Sequence, residues 1–186
     1  MLRQRRHAPR LLGFNYSGPY AYFITCPTYQ KRLYFEDKAI VDIVLSILRR
    51  AGVQNSFGIY VYCFMPDHLH LLLLGEEKSS LHRFMKTFKQ ESSFVFKRAY
   101  GNSLWQRSYY DHVLRKEEAL EDVALYILNN PVRGGLVDDY KSYAFSGSFI
   151  FDIRELGGQT WRSISTRDNT SKCRDRSLDL SEDGQK

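Results

Sequence analysis

A chain of 186 residues with 43% hydrophobic side chains is of single-domain size and carries enough apolar mass for one buried core. Three cysteines, Cys26, Cys63 and Cys173, lack any Cys-x-x-Cys spacing, which argues against a disulfide framework or a structural zinc cage and fits a reducing, cytoplasmic setting. The net charge of +6, with no visible signal sequence and no run of 18 apolar residues, points to a soluble protein whose partner is anionic rather than a membrane.

Residues 1–15 read as a basic arm in which Arg3, Arg5, Arg6 and Arg10 meet no acid, suited either to a DNA backbone or groove or to a solvated tail. The folded domain is expected over 16–150. Its first strand is the aromatic and β-branched run 20–26, ended by Pro27. Asp37 then caps a helix over 38–51 that Gly52 is expected to stop. Strands follow over 57–64 and 68–74, forming a hairpin-like pair through an irregular Met65-Pro66-Asp67 connection. A long helix runs from a Ser79 or Ser80 cap to about Ala99 and buries Leu81, Phe84, Met85, Phe88 and Val95. After it comes a loop over 101–114 with extended pieces at 104–106 and 111–114. A last helix begins near Lys116-Glu117-Glu118 and stops at Pro131, and residues 157–186 form a polar tail expected to be disordered. This order is that of an α+β fold with helices on one face of an antiparallel sheet.

Residues 82–116 hold eight basic side chains against two acidic ones, interleaved with aromatics. Single-stranded nucleic acid is bound by that mixture, cations taking phosphates and ring faces taking bases. Lys86 and Lys89 on the polar side of the long helix, and Trp105, Arg107 and Arg115 beyond it, are the candidate DNA contacts; a solvated helix face over an aromatic core has the same composition.

His68 and His70 stand at i and i+2 of a strand-like run, so one face presents both imidazoles to a single ion. Two neutral imidazoles with an oxygen ligand suit a divalent metal that polarises phosphate or activates water; two packed histidines are the plainer alternative. On the last helix, Leu120, Val123, Ala124 and Ile127 mark a buried stripe, with Tyr126 roughly 80° from its centre and Asn130 about 40° from Tyr126. A hydroxyl and an amide thus share one shoulder, a nucleophile beside a metal ligand or merely a packing residue beside a helix terminus.

Three blocks bear on that choice: Met65-Pro66-Asp67-His68-Leu69-His70, the stretch from Trp105-Gln106 through Tyr110-Asp111-His112 to Arg115, and Tyr126-Ile127-Leu128-Asn129-Asn130-Pro131-Val132-Arg133 with Gly135-Leu136-Val137. Together they resemble the HUH single-tyrosine transposases, in the REP-associated tyrosine transposase branch. The resemblance implies a ferredoxin-like antiparallel sheet with the HUH strand central and the tyrosine on a C-terminal helix. It implies Tyr126 as the nucleophile that keeps a 5′ phosphate, and His68, His70 and Asn130 as ligands of Mg²⁺ or Mn²⁺. The partner implied is single-stranded or hairpin DNA, bound by a homodimer or a monomer. Asp67 stands where an asparagine is common and is read as closing the turn; Asn130 stands where other single-tyrosine transposases use glutamine. A domesticated hairpin binder that does not cut, and a phosphodiesterase that activates water, are the competing accounts.

Overall fold

Alternation along the strands sets the architecture. The computed structural model describes residues 13–115 and 119–156. Five strands, β1 (Ala21–Pro27), β2 (Phe57–Met65), β3 (His68–Gly75), β4 (Tyr110–Val113) and β5 (Ser146–Gly147), form an antiparallel sheet in the order β4-β1-β3-β2-β5. Helix α1 (Lys38–Gln54) connects β1 to β2, and α2 (Leu81–Tyr100) connects β3 to β4, so β1-α1-β2-β3-α2-β4 is ferredoxin-like with the histidine strand at its centre. Tyr22, Ile24 and Cys26 of β1 and Leu69, Leu71 and Leu73 of β3 point to one face and make the core with α1 and α2. The expected single helical face holds for these two long helices. A third, α3 (Leu120–Leu128), packs on β2 and β3 from the side on which His68 and His70 project.

Several local expectations are corrected. The β2–β3 connection is regular: Met65 pairs with His68 around a two-residue Pro66-Asp67 turn, and the irregularity lies within β2, where the register shifts between Ile59 and Val61. The turn is braced, because Phe35 N–H donates to Pro66 O at 3.1 Å and Thr28 N–H donates to Asp67 O at 2.9 Å, the single hydroxyl hydrogen of Thr28 being shared between Arg32 O at 2.7 Å and Asp67 O at 2.9 Å. Asp37 does cap α1, accepting from Ala39 N–H at 2.8 Å. Gly52 does not stop it, however; the helix runs on to Gln54, and a Cβ at Gly52 would sit 3.0 Å from Phe57 O and 3.2 Å from Ile59 Cδ1. That glycine is there for the close approach of helix and strand.

Ser80 is the N-cap residue of α2 without a side-chain cap bond, while the Ser79 hydroxyl donates to Gly18 O at 2.7 Å. Val95 is exposed and Phe96 buried in its stead, because Tyr34 covers that shoulder with its ring 4.8 Å from that of Phe96. Gly101, at φ 72°, ends the helix in the left-handed conformation that glycine adopts without a steric cost. Pro131 likewise does not end a helix. The chain breaks at Asn129, and Pro131 lies in the first turn of a short α4 (Asn130–Arg133), where a missing N–H costs nothing.

Residues 13–154 belong to one unit, and a second begins at Glu155, of which Glu155 and Leu156 are described. The arginines of the arm, the 116–118 start of the last helix and the 157–186 tail lie outside the described residues. Among the described residues no helix is long and apolar enough to cross a membrane.

The junction of β3 and α2 is the tightest test of this packing. A Cβ on Gly75 would stand 2.5 Å from Ser79 Oγ and 2.6 Å from the Gly18 carbonyl oxygen. Gly75→Ala is therefore expected to cost about 1–3 kcal/mol, read as a lower urea midpoint with an unchanged m-value.

Candidate active site

The β-strand period and the sheet register together build a pair of buttressed imidazoles. Met65 and His68 close the hairpin, and His70, two residues on, shares the face of His68. The two Nε2 atoms stand 3.0 Å apart. Each Nδ1 is taken from behind: that of His68 by Asp67 Oδ1 at 2.5 Å, that of His70 by Thr25 Oγ1 at 2.9 Å. Thr25 is the direct cross-strand partner of His70. A carboxylate on Nδ1 holds that proton on His68 and leaves its Nε2 as a lone pair. A hydroxyl both donates and accepts, so Thr25 supports either tautomer of His70.

These atoms fit a divalent ion. Two cis ligands of an octahedral ion, each at about 2.1 Å, stand about 3 Å apart, which is the separation of the two Nε2 atoms. His70, only 7% exposed, is held neutral: burial first, then His68, lowers its pKa to about 3, against an opposing pull from Asp67. A metal ligand needs the neutral imidazole. Asp67 does more than close its turn, since its carboxylate orients His68 from behind. Among the described residues no group of three or more histidine, cysteine, aspartate or glutamate side chains is placed to hold an ion.

Tyr126 lies on the same side of the sheet and is 47% exposed. Phe23, on the site face of β1, links the two halves: its ring centroid is 5.4 Å from that of His70 and 6.1 Å from that of Tyr126, the latter edge to face. α3 is seated by Ala124, Ile127 and Leu128; Leu128 is a fully buried anchor in place of the expected Leu120 and Val123, which are only partly buried, and the helix ends earlier, at Leu128 rather than at Pro131. Asn130 donates from Nδ2 to Tyr126 O at 2.9 Å and to Ile127 O at 3.1 Å, closing the end of α3. Both bonds use the amide nitrogen, and the amide oxygen is the atom with ligand chemistry.

Two of the expected DNA contacts prove to be structural. Trp105 is buried, and its Nε1–H donates to Ser92 Oγ at 2.8 Å, so its ring is no platform for a base. Lys89 donates to Gln106 O at 2.7 Å and Arg107 O at 3.2 Å; burial lowers its pKa, with Cys26 opposing. The buried Cys26 thiol is itself pushed up to about 12. Lys86, Arg107 and Arg115 are exposed. An open groove of about 440 Å³ beside α2 is lined by Lys89, Ser93, Phe94, Lys97, Trp105 and Arg107, with neither histidine nor Tyr126 in its wall. Thr25, Phe23 and Arg133 went unmarked in the sequence. Thr25 and Phe23 depend on strand register, which a lone strand pattern does not fix.

Residues 15–130 match the family described as Transposase IS200 like. A Haemophilus influenzae protein assigned as a REP-associated tyrosine transposase is 29% identical over 129 residues, spanning 62% of this chain and 73% of the relative. The ISDra2 transposase TnpA of Deinococcus radiodurans is 30% identical over 105 residues, spanning 52% of this chain and 73% of its own length. Among solved structures, a REP-associated tyrosine transposase bound to a REP hairpin has a TM-score of 0.62 at 18% identity, over 75% of this chain and 82% of that one. At that identity the likeness is one of fold.

Two measurements test the buttressing. An ordinary histidine in the unfolded chain protonates near pH 6.5, whereas folded His70 stays neutral to about 3. The unfolded state binds more protons between those values, so stability falls as the pH drops through that window, by up to about 1.4 kcal/mol per pH unit. Urea unfolding in EDTA at a series of pH values should show that slope and its flattening in His70→Gln; equal slopes would remove the buried neutral histidine. Lys89→Met should lose about 2 kcal/mol by stranding two carbonyls, against less than about 0.5 kcal/mol for Lys86→Ala.

Proposed function

The chain belongs to the IS200-like transposase family, and from that premise we propose that it cuts and rejoins single-stranded or hairpin DNA through a covalent 5′-phosphotyrosine at Tyr126. One observation carries the reading: two imidazoles with paired Nε2 atoms and buttressed Nδ1 atoms share a sheet face with a half-exposed tyrosine, and one phenylalanine touches both. A binding protein needs none of that arrangement. The hairpin substrate is taken from the solved relative, which holds a REP hairpin.

His68 and His70 would hold Mg²⁺ or Mn²⁺, with the Asn130 amide oxygen as the third ligand. An ion there supplies Lewis-acid stabilisation of charge on the scissile phosphate. The remaining work belongs to the chain. Asp67 and Thr25 keep both rings aimed at one point, so no reorientation is needed when the substrate arrives. Tyr126 Oη attacks phosphorus: the Oη–P bond forms, the P–O3′ bond breaks, and the phenolic proton passes, directly or through water, to the departing 3′ oxygen. The phosphotyrosine retains the energy of the broken diester, so attack by a 3′ hydroxyl rejoins DNA without a nucleotide cofactor.

Exposed Lys86, Arg107 and Arg115, together with the arm residues Arg3, Arg5, Arg6 and Arg10, would position the DNA through its phosphates. Because Phe23 of one chain touches both His70 and Tyr126, the site is read as complete within a monomer; a homodimer is not needed to assemble it. The buried free thiols of Cys26 and Cys63 suit a reducing cytoplasm, where the protein would sit on DNA.

Purified protein, labelled hairpin DNA with single-stranded flanks, and Mn²⁺ or EDTA give the test. A denaturation-resistant adduct that requires Mn²⁺ and is lost in both Tyr126→Phe and His70→Ala is the expected result. Tight binding without an adduct would favour a binder, and metal-dependent cutting that survives Tyr126→Phe would favour a water-activating phosphodiesterase.

A further inference from the structure

The contact between Arg133 and Tyr126 is not one that a helix supplies by default. Residues seven apart on an unbroken helix share a face but lie about 10 Å apart along its axis. Here α3 ends at Leu128, the single residue Asn129 separates it from α4, and the Arg133 guanidinium carbon lies 4.9 Å from the Tyr126 ring centroid. The short helix that carries Arg133 is fixed by its own backbone bonds. Arg133 N–H donates to Asn129 O at 3.0 Å, Gly134 N–H to Asn130 O at 2.8 Å, and Leu136 N–H to Pro131 O at 2.9 Å. It is also pressed against the histidine hairpin: a Cβ at Gly134 would lie 3.2 Å from Cε of Met65, the last residue of β2. The tyrosine ring is therefore flanked by Phe23 and by Arg133. Among the described residues no carboxylate forms an ion pair with Arg133, so its charge is not spent on an acid.

We propose that Arg133 is a catalytic residue whose guanidinium takes hold of the scissile phosphate as that phosphate becomes joined to Tyr126. The proposal rests on Tyr126 being the nucleophile. A guanidinium stacked on an aromatic face is held there by a weak attraction, and it leaves that face readily for an anion. A phosphate on the phenolic oxygen of the same ring is such an anion, within reach of a side chain already parked beside it. The planar fork of Arg133 donates two parallel N–H bonds to the two non-bridging oxygens, a geometry a lysine ammonium does not reproduce. In the forward step the Oη–P bond forms, the P–O3′ bond breaks, and negative charge gathers on those oxygens. In the reverse step the same charge gathers again as Oη leaves. Arg133 thus serves cutting and rejoining alike, and its contribution is realised at the transition state rather than in DNA affinity.

Single-turnover adduct formation with Mn²⁺, beside DNA affinity measured in EDTA, separates these effects. Arg133→Ala and Arg133→Met are expected to slow adduct formation about a hundredfold, while the dissociation constant for DNA changes less than about threefold. Arg133→Lys should recover part of the rate. Methylguanidinium added in solution should accelerate Arg133→Ala and leave the wild-type rate unchanged, an effect that a packing role for the arginine would not produce. Wild-type rates in Arg133→Met, or a loss that appears entirely in the dissociation constant, would overturn the proposal. If Tyr126→Phe still forms the adduct, the nucleophile lies elsewhere and the premise itself has failed. If Tyr126→Phe abolishes the adduct and Arg133→Ala does not slow it, the failure belongs to Arg133 alone.

Discussion

The antiparallel register between β1 and β3 is the constraint on which the site depends. Cys26 faces Leu69 and Thr25 faces His70, so adjacent pairs go to opposite sides of the sheet. On one side, Tyr22, Ile24 and Cys26 meet Leu69, Leu71 and Leu73 in the core. On the other, the same alternation delivers Phe23 and Thr25 to His70. A slip of one residue would carry Leu69, Leu71 and Leu73 out of the core and turn His68 and His70 into it, which is why the register is strongly specified. Apolar burial thus holds the Thr25 hydroxyl against Nδ1 of His70, although neither polar group contributes much to that burial.

The two halves of the site are held differently. His68 and His70 stand on the central strand, hydrogen-bonded on both sides and backed by Asp67 and Thr25. Tyr126 sits on a nine-residue helix seated by Ala124, Ile127 and Leu128, and its ring is half exposed. Under the proposed function the rigid pair would suit an ion site, whose ligands must not relax when charge develops. Tyr126, as the proposed nucleophile, would need access instead. Past the break at Asn129, the Asn130 amide bonds the Tyr126 carbonyl and the Arg133 guanidinium lies beside the tyrosine ring.

Much of this was legible in the chain. His-x-His after a Pro-Asp turn gave the strand and its face, because period two admits only one arrangement. The Tyr126 and Asn130 spacing put both on one shoulder, and the structure joins them by a side-chain bond. Arg133 was not legible as a neighbour of Tyr126, since Pro131 reads equally as a stop or as the first turn of a new helix. Val95 and Phe96 show a similar limit: both fall near the apolar stripe of α2, and only the placement of Tyr34 decides which is covered.

Lys89 and Trp105 are the most instructive case. A basic and aromatic stretch after a long helix looked like a surface for DNA, yet Lys89 and Trp105 face inward. Lys89 ties α2 to the carbonyls of Gln106 and Arg107. Gln106 N–H donates to Pro27 O at 3.0 Å, and Trp105 bridges Thr28. Thr28 N–H in turn donates to the Asp67 carbonyl, and the Asp67 carboxylate holds His68. Hydrogen bonds joined through short stretches of backbone therefore link a lysine on α2 to Nδ1 of a histidine on β3. With its backbone carbonyl fixed by Thr28, Asp67 keeps its carboxylate at one place, and a carboxylate there holds the Nδ1 proton more firmly than a neutral amide would. Asp67 thus acts on the histidine from behind, favouring the tautomer that leaves Nε2 open.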